Sequence, residues 1–269
     1  MTKLNRILIT GAAGSLGSVL REALPGSCNH LRVSDLKDLG PVADHEEAVR
    51  CDLADRDAVA SLTKDVDMIV HMGGVPVEDK FDKILHSNLL GFYNLYEQAR
   101  KNGVKRIIWG SSNHAIGFYP RTQTIDASVR PKPDTLYGVS KVYGEGLAEF
   151  YFDKFGMETV SIRIGSCFPE PIDRRMMATW LSFRDLVQIV EKSLQAPQTR
   201  HMIIYGVSNN DQNLWDNKMA SSIGYKPVDN AETFREKVEA ATNEPDRHDP
   251  MFMYHGGAYA RADHFEGDG

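Results

Sequence analysis

A short apolar run, Arg6-Ile7-Leu8-Ile9-Thr10, stops at Gly11-Ala12-Ala13-Gly14-Ser15-Leu16-Gly17, and a helical pattern follows to about Leu24. A buried strand, a glycine turn and a helix leave few folds open. The glycines allow close backbone approach, and the free amides around Gly14, Ser15, Leu16 and Gly17 attract an anion such as a diphosphate. A glycine triplet alone also fits a plain strand-to-helix turn. With the strand before it and the helix after it, the ligand-binding reading is the stronger one.

The alternation continues along the chain. A strand from about His30 to Ser34 ends in Asp35, eighteen residues past Gly17. An acidic side chain there accepts hydrogen bonds from the adenosine ribose and repels a 2′-phosphate, which favours NAD over NADP. Lys37 nearby leaves weak NADP use open. A third strand, Glu47 to Cys51, runs into Asp52-Leu53-Ala54-Asp55, where Asp52 can meet the adenine amino group and Asp55 can cap a helix. A fourth, Val66 to His71, is followed by Met72-Gly73-Gly74-Val75-Pro76, small residues that let the backbone run beside a cofactor. His71 reads as a satisfied strand-end histidine. A long amphipathic helix from Phe81 to Lys101 carries Leu85, Leu89, Phe92, Tyr96 and Ala99 as a core or subunit-interface stripe. Lys105 to Trp109 is a fifth strand, leading to Ser111-Ser112-Asn113-His114.

Strands alternating with helices imply right-handed crossovers and a parallel sheet. The expected fold is α/β, a Rossmann-type doubly wound parallel sheet with a small C-terminal substrate lobe. Residues 1–165 would form the NAD-binding part and 166–269 the substrate side, packed as one unit. Ligands gather at the carboxyl ends of such strands, and Gly11, Asp35, Asp52, Gly73 and Ser112 all fall there.

Past the middle lies Asp134-Thr135-Leu136-Tyr137-Gly138-Val139-Ser140-Lys141. Pro131 and Pro133 hold the preceding chain extended, and Asp134 can cap a helix running to about Phe155. Tyr137 and Lys141 are one turn apart on one face. A phenol with a pKa near ~10 is a poor base at neutral pH, and a neighbouring ammonium favours its ionised form. The pair is a plausible proton-transfer device, though ordinary helices often carry one by chance. The cofactor signals elsewhere raise its weight, and Ser112 would complete a hydrogen-bonding set around a reacting hydroxyl.

Composition narrows the classes. The chain has 269 residues and a formal net charge of -6, which argues against a nucleic-acid partner. No long uncharged apolar run exists, so no membrane span is expected, and the first residues lack a signal-peptide core. Three cysteines (Cys28, Cys51, Cys167) without metal spacing suit reduced cytoplasmic thiols.

These residues resemble the extended short-chain dehydrogenase/reductase family, related to the NAD-dependent epimerases and dehydratases. The resemblance rests on Thr10-Gly11-x-x-Gly14-x-x-Gly17, Asp52-Leu53, Asn88-x-x-Gly91, Ser111-Ser112, Tyr137-Gly-x-Ser-Lys141-x-x-x-Glu145 and Gly224-Tyr225-Lys226-Pro227. The chain departs from the sugar-nucleotide enzymes at Gly165-Ser166-Cys167-Phe168-Pro169 and in its short final lobe. There it resembles the uronate dehydrogenases, through Ser112-Asn113-His114, Tyr151-Phe-Asp-Lys-Phe155, Arg163-Ile-Gly-Ser-Cys167 and Trp215-Asp-Asn217.

That resemblance implies NAD-dependent oxidation of the anomeric carbon of galacturonate or glucuronate to an aldaro-lactone. It implies Tyr137 as base, Lys141 on the nicotinamide ribose, and Ser112, Asn113, His114 and Ser166 on sugar hydroxyls. Arg175 would hold the carboxylate, although the sequence does not separate it from Arg174. Pro76 stands where that group tends to have a serine, which puts a sugar contact and epimer preference in doubt. A homo-oligomer is expected by analogy. The rival readings are a sugar-nucleotide epimerase or dehydratase, and an NAD-binding regulator without turnover.

For the rest, a helix from Leu181 to Leu194 would begin at Ser182 or Thr179. A strand from His201 to Tyr205 would pair within the small lobe. Helices near Trp215 to Ser222 and Asn230 to Ala241 would cover the substrate. His248, His255 and His264 read as tail residues in a polar, glycine-rich final segment with no metal-ligand spacing.

Overall fold

Runs such as Ile7-Leu8-Ile9 and Ile107-Ile108 have no polar face, so each needs cover on both sides, and a parallel sheet between helical layers gives it. The computed structural model describes residues 3–244 and 246–261. Its first half contains β1 (Leu4–Thr10), α1 (Ser15–Ala23), β2 (Cys28–Asp35), β3 (Glu46–Arg50), α2 (Arg56–Leu62) and β4 (Met68–His71). Next come α3 (Phe81–Ile84), a π-helical stretch (Leu85–Gly91), α4 (Phe92–Lys101) and β5 (Arg106–Ser112). A 3₁₀ turn (Asn113–Ile116) and β6 (Ile125–Asp126) precede α5 (Leu136–Phe155) and β7 (Glu158–Ile164). The remainder holds β8 (Ser166–Cys167), α6 (Met176–Thr179), β9 (Trp180–Leu181), α7 (Phe183–Gln195), β10 (His201–Gly206), β11 (Trp215–Asp216), α8 (Lys218–Ser221), α9 (Arg235–Ala241), α10 (Pro250–Met253) and α11 (Ala258–Arg261).

Seven strands form one sheet in the order β10-β7-β5-β4-β1-β2-β3, every pair parallel. Strand order reverses between β1 and β4, where a ligand crevice opens in such sheets. Thr10 is in register with both Ser34 and His71, so the glycine turn, Asp35 and Met72 leave the sheet along one edge. One core layer packs α1 and α7 on the sheet through Leu20, Leu24, Leu186 and Ile189. The other packs α2, α4 and α5 through Val59, Leu62, Phe92, Leu95, Tyr96 and Tyr151.

Several local expectations change. The strand at His201 pairs with β7 and forms an edge of the large sheet, not a sheet within a smaller lobe; its buried Ile204 joins the apolar layer of Leu186 and Ile189 from α7, while Tyr205 stacks on Trp215 at 5.0 Å between ring centres. The helix at Phe81 is not continuous: its turns widen over Leu85–Gly91. The cause is local, since Asn88 turns inward to bond Val75 on the loop after β4. Trp215 begins a short strand beside β6, and only Lys218–Ser221 is helical. Ser182, not Thr179, caps α7, its hydroxyl accepting from the Asp185 amide at 3.0 Å.

Candidate active site

The glycine turn is shaped by contact with the next loop. Gly11 has φ +74°, and a methyl there would lie 2.4 Å from the Gly73 nitrogen, so only glycine lets the β1 and β4 loops meet. Met72 donates to the Thr10 carbonyl at 2.9 Å and carries Gly73 and Gly74 across the turn. No side chain caps α1, whose first turn of Ser15, Leu16 and Gly17 follows Gly14, leaving amides for an anion. Asp35 accepts from the Ala13 amide at 3.0 Å through one oxygen and from the Lys37 amide at 3.0 Å through the other, fixing its carboxylate beside the turn. Asp52 bonds the Ala54 amide at 2.9 Å and His86 Nε2 at 3.0 Å. Leu53 packs beneath Gly91. An uncapped helix start, a close-packed glycine turn and an anchored carboxylate one strand away are the donor set that a dinucleotide needs.

At the other end, α5 starts one residue later than expected. Thr135 is the cap, its hydroxyl accepting from the Gly138 amide at 3.0 Å. Asp134 is taken instead by His114, whose Nδ1 lies 2.9 and 3.1 Å from its two oxygens. Glu78 also accepts from the Leu136 and Tyr137 amides, at 3.2 and 2.8 Å. Tyr137 and Lys141 share a face, with the lysine nitrogen 5.2 Å from the centre of the phenol ring. The nitrogen donates to the Gly110 carbonyl at 2.7 Å. Burial pushes Lys141 down to about 8, against the pull of Glu145.

Burial likewise pushes the Tyr137 hydroxyl above its ordinary value, with only the Ser112 hydrogen bond pulling it down. This reverses the direction expected from a lysine one turn away. The ammonium faces the ring and a carbonyl, and desolvation of the phenolate dominates. Ser111 donates to Glu145 at 2.8 Å, and Arg163 bonds both oxygens of that carboxylate at 2.9 Å. His71 is pushed down to about 3 by burial and lies 2.6 Å from the Thr10 hydroxyl through Nδ1, a satisfied strand-end ring.

Ser112 and His114 meet Tyr137, while Asn113 and Arg175 share the His255 carbonyl and Arg175 reaches Ser166. His114 meets the Tyr137 ring edge-on at 5.8 Å between centres. Arg174 and Arg175 separate cleanly. Arg174 turns outward to Glu244 and the Thr242 carbonyl, whereas Arg175 is buried and donates to the Ser166 hydroxyl at 3.0 Å. Its other bonds go to the His255 carbonyl at 3.0 and 3.3 Å. Among the described residues, the hydrogen-bond partners of this buried guanidinium are therefore all neutral.

The sequence reading missed Glu78, Asp134 as a partner of His114, and Tyr259, whose ring packs on His114 at 4.3 Å. His255 is not a tail residue: it is 1% exposed and wedged under the site. Its surroundings look featureless in sequence, and only the Gly256-Gly257 pair hints at close packing. His248 is exposed as expected, and His264 lies outside the described residues.

Among the described residues no helix is long and apolar enough to cross a membrane. The model of the NAD dependent epimerase/dehydratase family matches residues 7–201. A uronate dehydrogenase of Pseudomonas syringae pv. tomato is 53% identical over 265 residues, covering 98% of this chain and 96% of that one. A glucuronic acid dehydrogenase structure from Chromohalobacter salexigens superposes with a TM-score of 0.97 at 48% identity, covering 98% and 100% of the two chains. A tyrosine-to-alanine mutant of uronate dehydrogenase from Agrobacterium tumefaciens, complexed with NAD, gives a TM-score of 0.94 at 46% identity, with 97% and 98% covered.

Proposed function

Because the chain belongs to the NAD dependent epimerase/dehydratase family, we propose that it oxidises the anomeric carbon of a hexuronate, D-galacturonate or D-glucuronate, to the aldaro-lactone. The observation that carries this reading is Arg175, a buried cation whose hydrogen-bond partners among the described residues are all uncharged. A charge taken from water without a bonded counter-ion is costly, and a substrate carboxylate meeting the fork in one plane offsets that cost.

Gly11, Gly14, Ser15, Leu16, Gly17, Asp35, Asp52, Leu53, Met72, Gly73 and Gly74 would hold NAD, with Lys141 on the nicotinamide ribose. Bound NAD would supply the hydride acceptor. Tyr137 would take the proton of the C1 hydroxyl as phenolate, a form that burial disfavours and the Ser112 hydrogen bond favours. Ser112 shares the reacting hydroxyl with Tyr137. Asn113, His114 and Ser166 orient the remaining sugar hydroxyls. Asp35 disfavours a 2′-phosphate and so favours NAD over NADP. The pairing of exposed Leu90 on the π-helical stretch, Tyr93 on α4 and Val139 and Tyr143 on α5 with the same face of a second copy fits a homo-oligomer. Three unpaired cysteines fit a cytoplasmic enzyme.

The deciding assay follows NADH absorbance with galacturonate, glucuronate, the parent neutral sugars and UDP-sugars side by side. Uronates should reduce NAD far more efficiently than the neutral sugars, UDP-sugars should not reduce it, and Tyr137→Phe should lose at least about a hundredfold in kcat while still binding NAD. Conversion of a UDP-sugar without NADH release would replace this reading with an epimerase.

A further inference from the structure

Arg175 cannot hold its own position. It ends a loop ahead of the four-residue helix α6, and besides the Ser166 hydroxyl its guanidinium is oriented by one backbone carbonyl, that of His255, which takes two of its three bonds. The same carbonyl accepts from Asn113 Nδ2 at 3.3 Å. Two side chains read as substrate contacts thus share a single oxygen, contributed from a segment eighty residues beyond Arg175.

That oxygen is held by the histidine ring. Trp215 Nε1 donates to His255 Nδ1 at 3.0 Å, and the other ring nitrogen, Nε2, lies 3.1 Å from the Pro120 carbonyl. The first bond requires a bare Nδ1, so the neutral ring carries its proton on Nε2 and donates it to Pro120. The backbone adds His255 N to the Tyr119 carbonyl and Gly256 N to the Gly117 carbonyl, both at 2.9 Å. Gly257 has φ +65°, and a methyl there would stand 2.3 Å from Arg175 Nε. The segment is pressed onto the guanidinium as closely as backbone allows.

We propose that His255 is the positioning residue for carboxylate recognition: by pinning its own carbonyl it aims Arg175 at the acidic end of the substrate and holds Asn113 beside it. This rests on the reading of Arg175 as carboxylate anchor. A neutral carbonyl in that place orients the guanidinium without cancelling its charge, which an aspartate or glutamate would do. Among the described residues, three of the five guanidinium donors are engaged, leaving two on the terminal nitrogens for a ligand.

The test compares His255→Ala, His255→Gln, Trp215→Phe and Arg175→Ala with the parent enzyme, reading kcat and KM for galacturonate and for galactose, NAD affinity and Tm. His255→Ala should raise the uronate KM at least tenfold with kcat within about threefold, should leave NAD affinity nearly unchanged, and should lower galactose kcat/KM far less than galacturonate kcat/KM. His255→Gln can accept from Trp215 and donate to Pro120, and should recover most of the KM. Trp215→Phe should reproduce part of the defect if the alanine variant fails to fold. An uronate KM unmoved by the folded histidine and tryptophan variants, while Arg175→Ala raises it steeply, overturns the proposal alone. So does an equal loss on galactose and galacturonate, which would make His255 merely structural. An uronate KM unmoved by Arg175→Ala overturns the anchor reading itself.

Discussion

Glu145 and Arg163 show what a buried charge demands of its neighbours. Their side chains are 5% and 1% exposed, and the pair is bidentate. Removing one partner strands the other in a desolvated site, so Glu145→Ala should cost about 3–5 kcal/mol. Urea unfolding at pH 7 measures this, and the double change Glu145→Ala with Arg163→Met should recover much of the loss. Gly11 makes the opposite demand, for the absence of atoms. Gly11→Ala places a methyl 2.4 Å from the Gly73 nitrogen at φ +74°, so NAD affinity, read by fluorescence titration, should fall more than tenfold together with a drop in Tm. Asp35→Ala should instead leave Tm nearly unchanged, weaken NAD and narrow the preference over NADP, checked by comparing kcat/KM for the two cofactors.

At the scale of elements, the start of α5 shows what one-dimensional reading can and cannot reach. Asp134 and Thr135 are both good caps. What separates them is His114, which lies on another loop and claims the aspartate. Thr135→Ala should therefore cost about 1 kcal/mol of stability, whereas Asp134→Ala should raise the uronate KM by freeing the His114 ring. Steady-state kinetics with parallel thermal melts distinguish the two. The same limit explains Glu78, which caps α5 across fifty-eight residues of sequence, and His255, which acts through its backbone. The glycine-turn cradle proposed for NAD was legible as local geometry: strand, glycine turn, helix and a carboxylate at a fixed interval. The sugar side was only partly legible, since Ser112, Asn113 and His114 adjoin a recognisable strand end while their supports come from distant loops. The destination of β10 was missed for a related reason, as an apolar strand carries no mark of which sheet edge it will join.

The molecule as a whole stores a pH dependence in its buried rings. Burial pushes His71 down to about 3 and His255 down to about 4, from 6.5. The unfolded chain takes up protons below about 6.5 that the folded chain refuses, so stability falls as pH drops through that value and levels off only near 3 to 4. At about 1.36 kcal/mol per unit for each group, the loss between pH 7 and 4.5 amounts to several kcal/mol. Denaturation midpoints across that range measure it, and His255→Gln should flatten the profile; a level curve would contradict the assignment. The buried pair of Glu145 and Arg163 acts at this scale too, because it straps α5 to β7 at one longitudinal setting. Sliding the helix by a single turn, about 5.4 Å, would pull these ions away from each other with no water to greet them. The phenol proposed as the base therefore rides on a fixed beam, its height over the sheet set by two ions rather than by the loops around it.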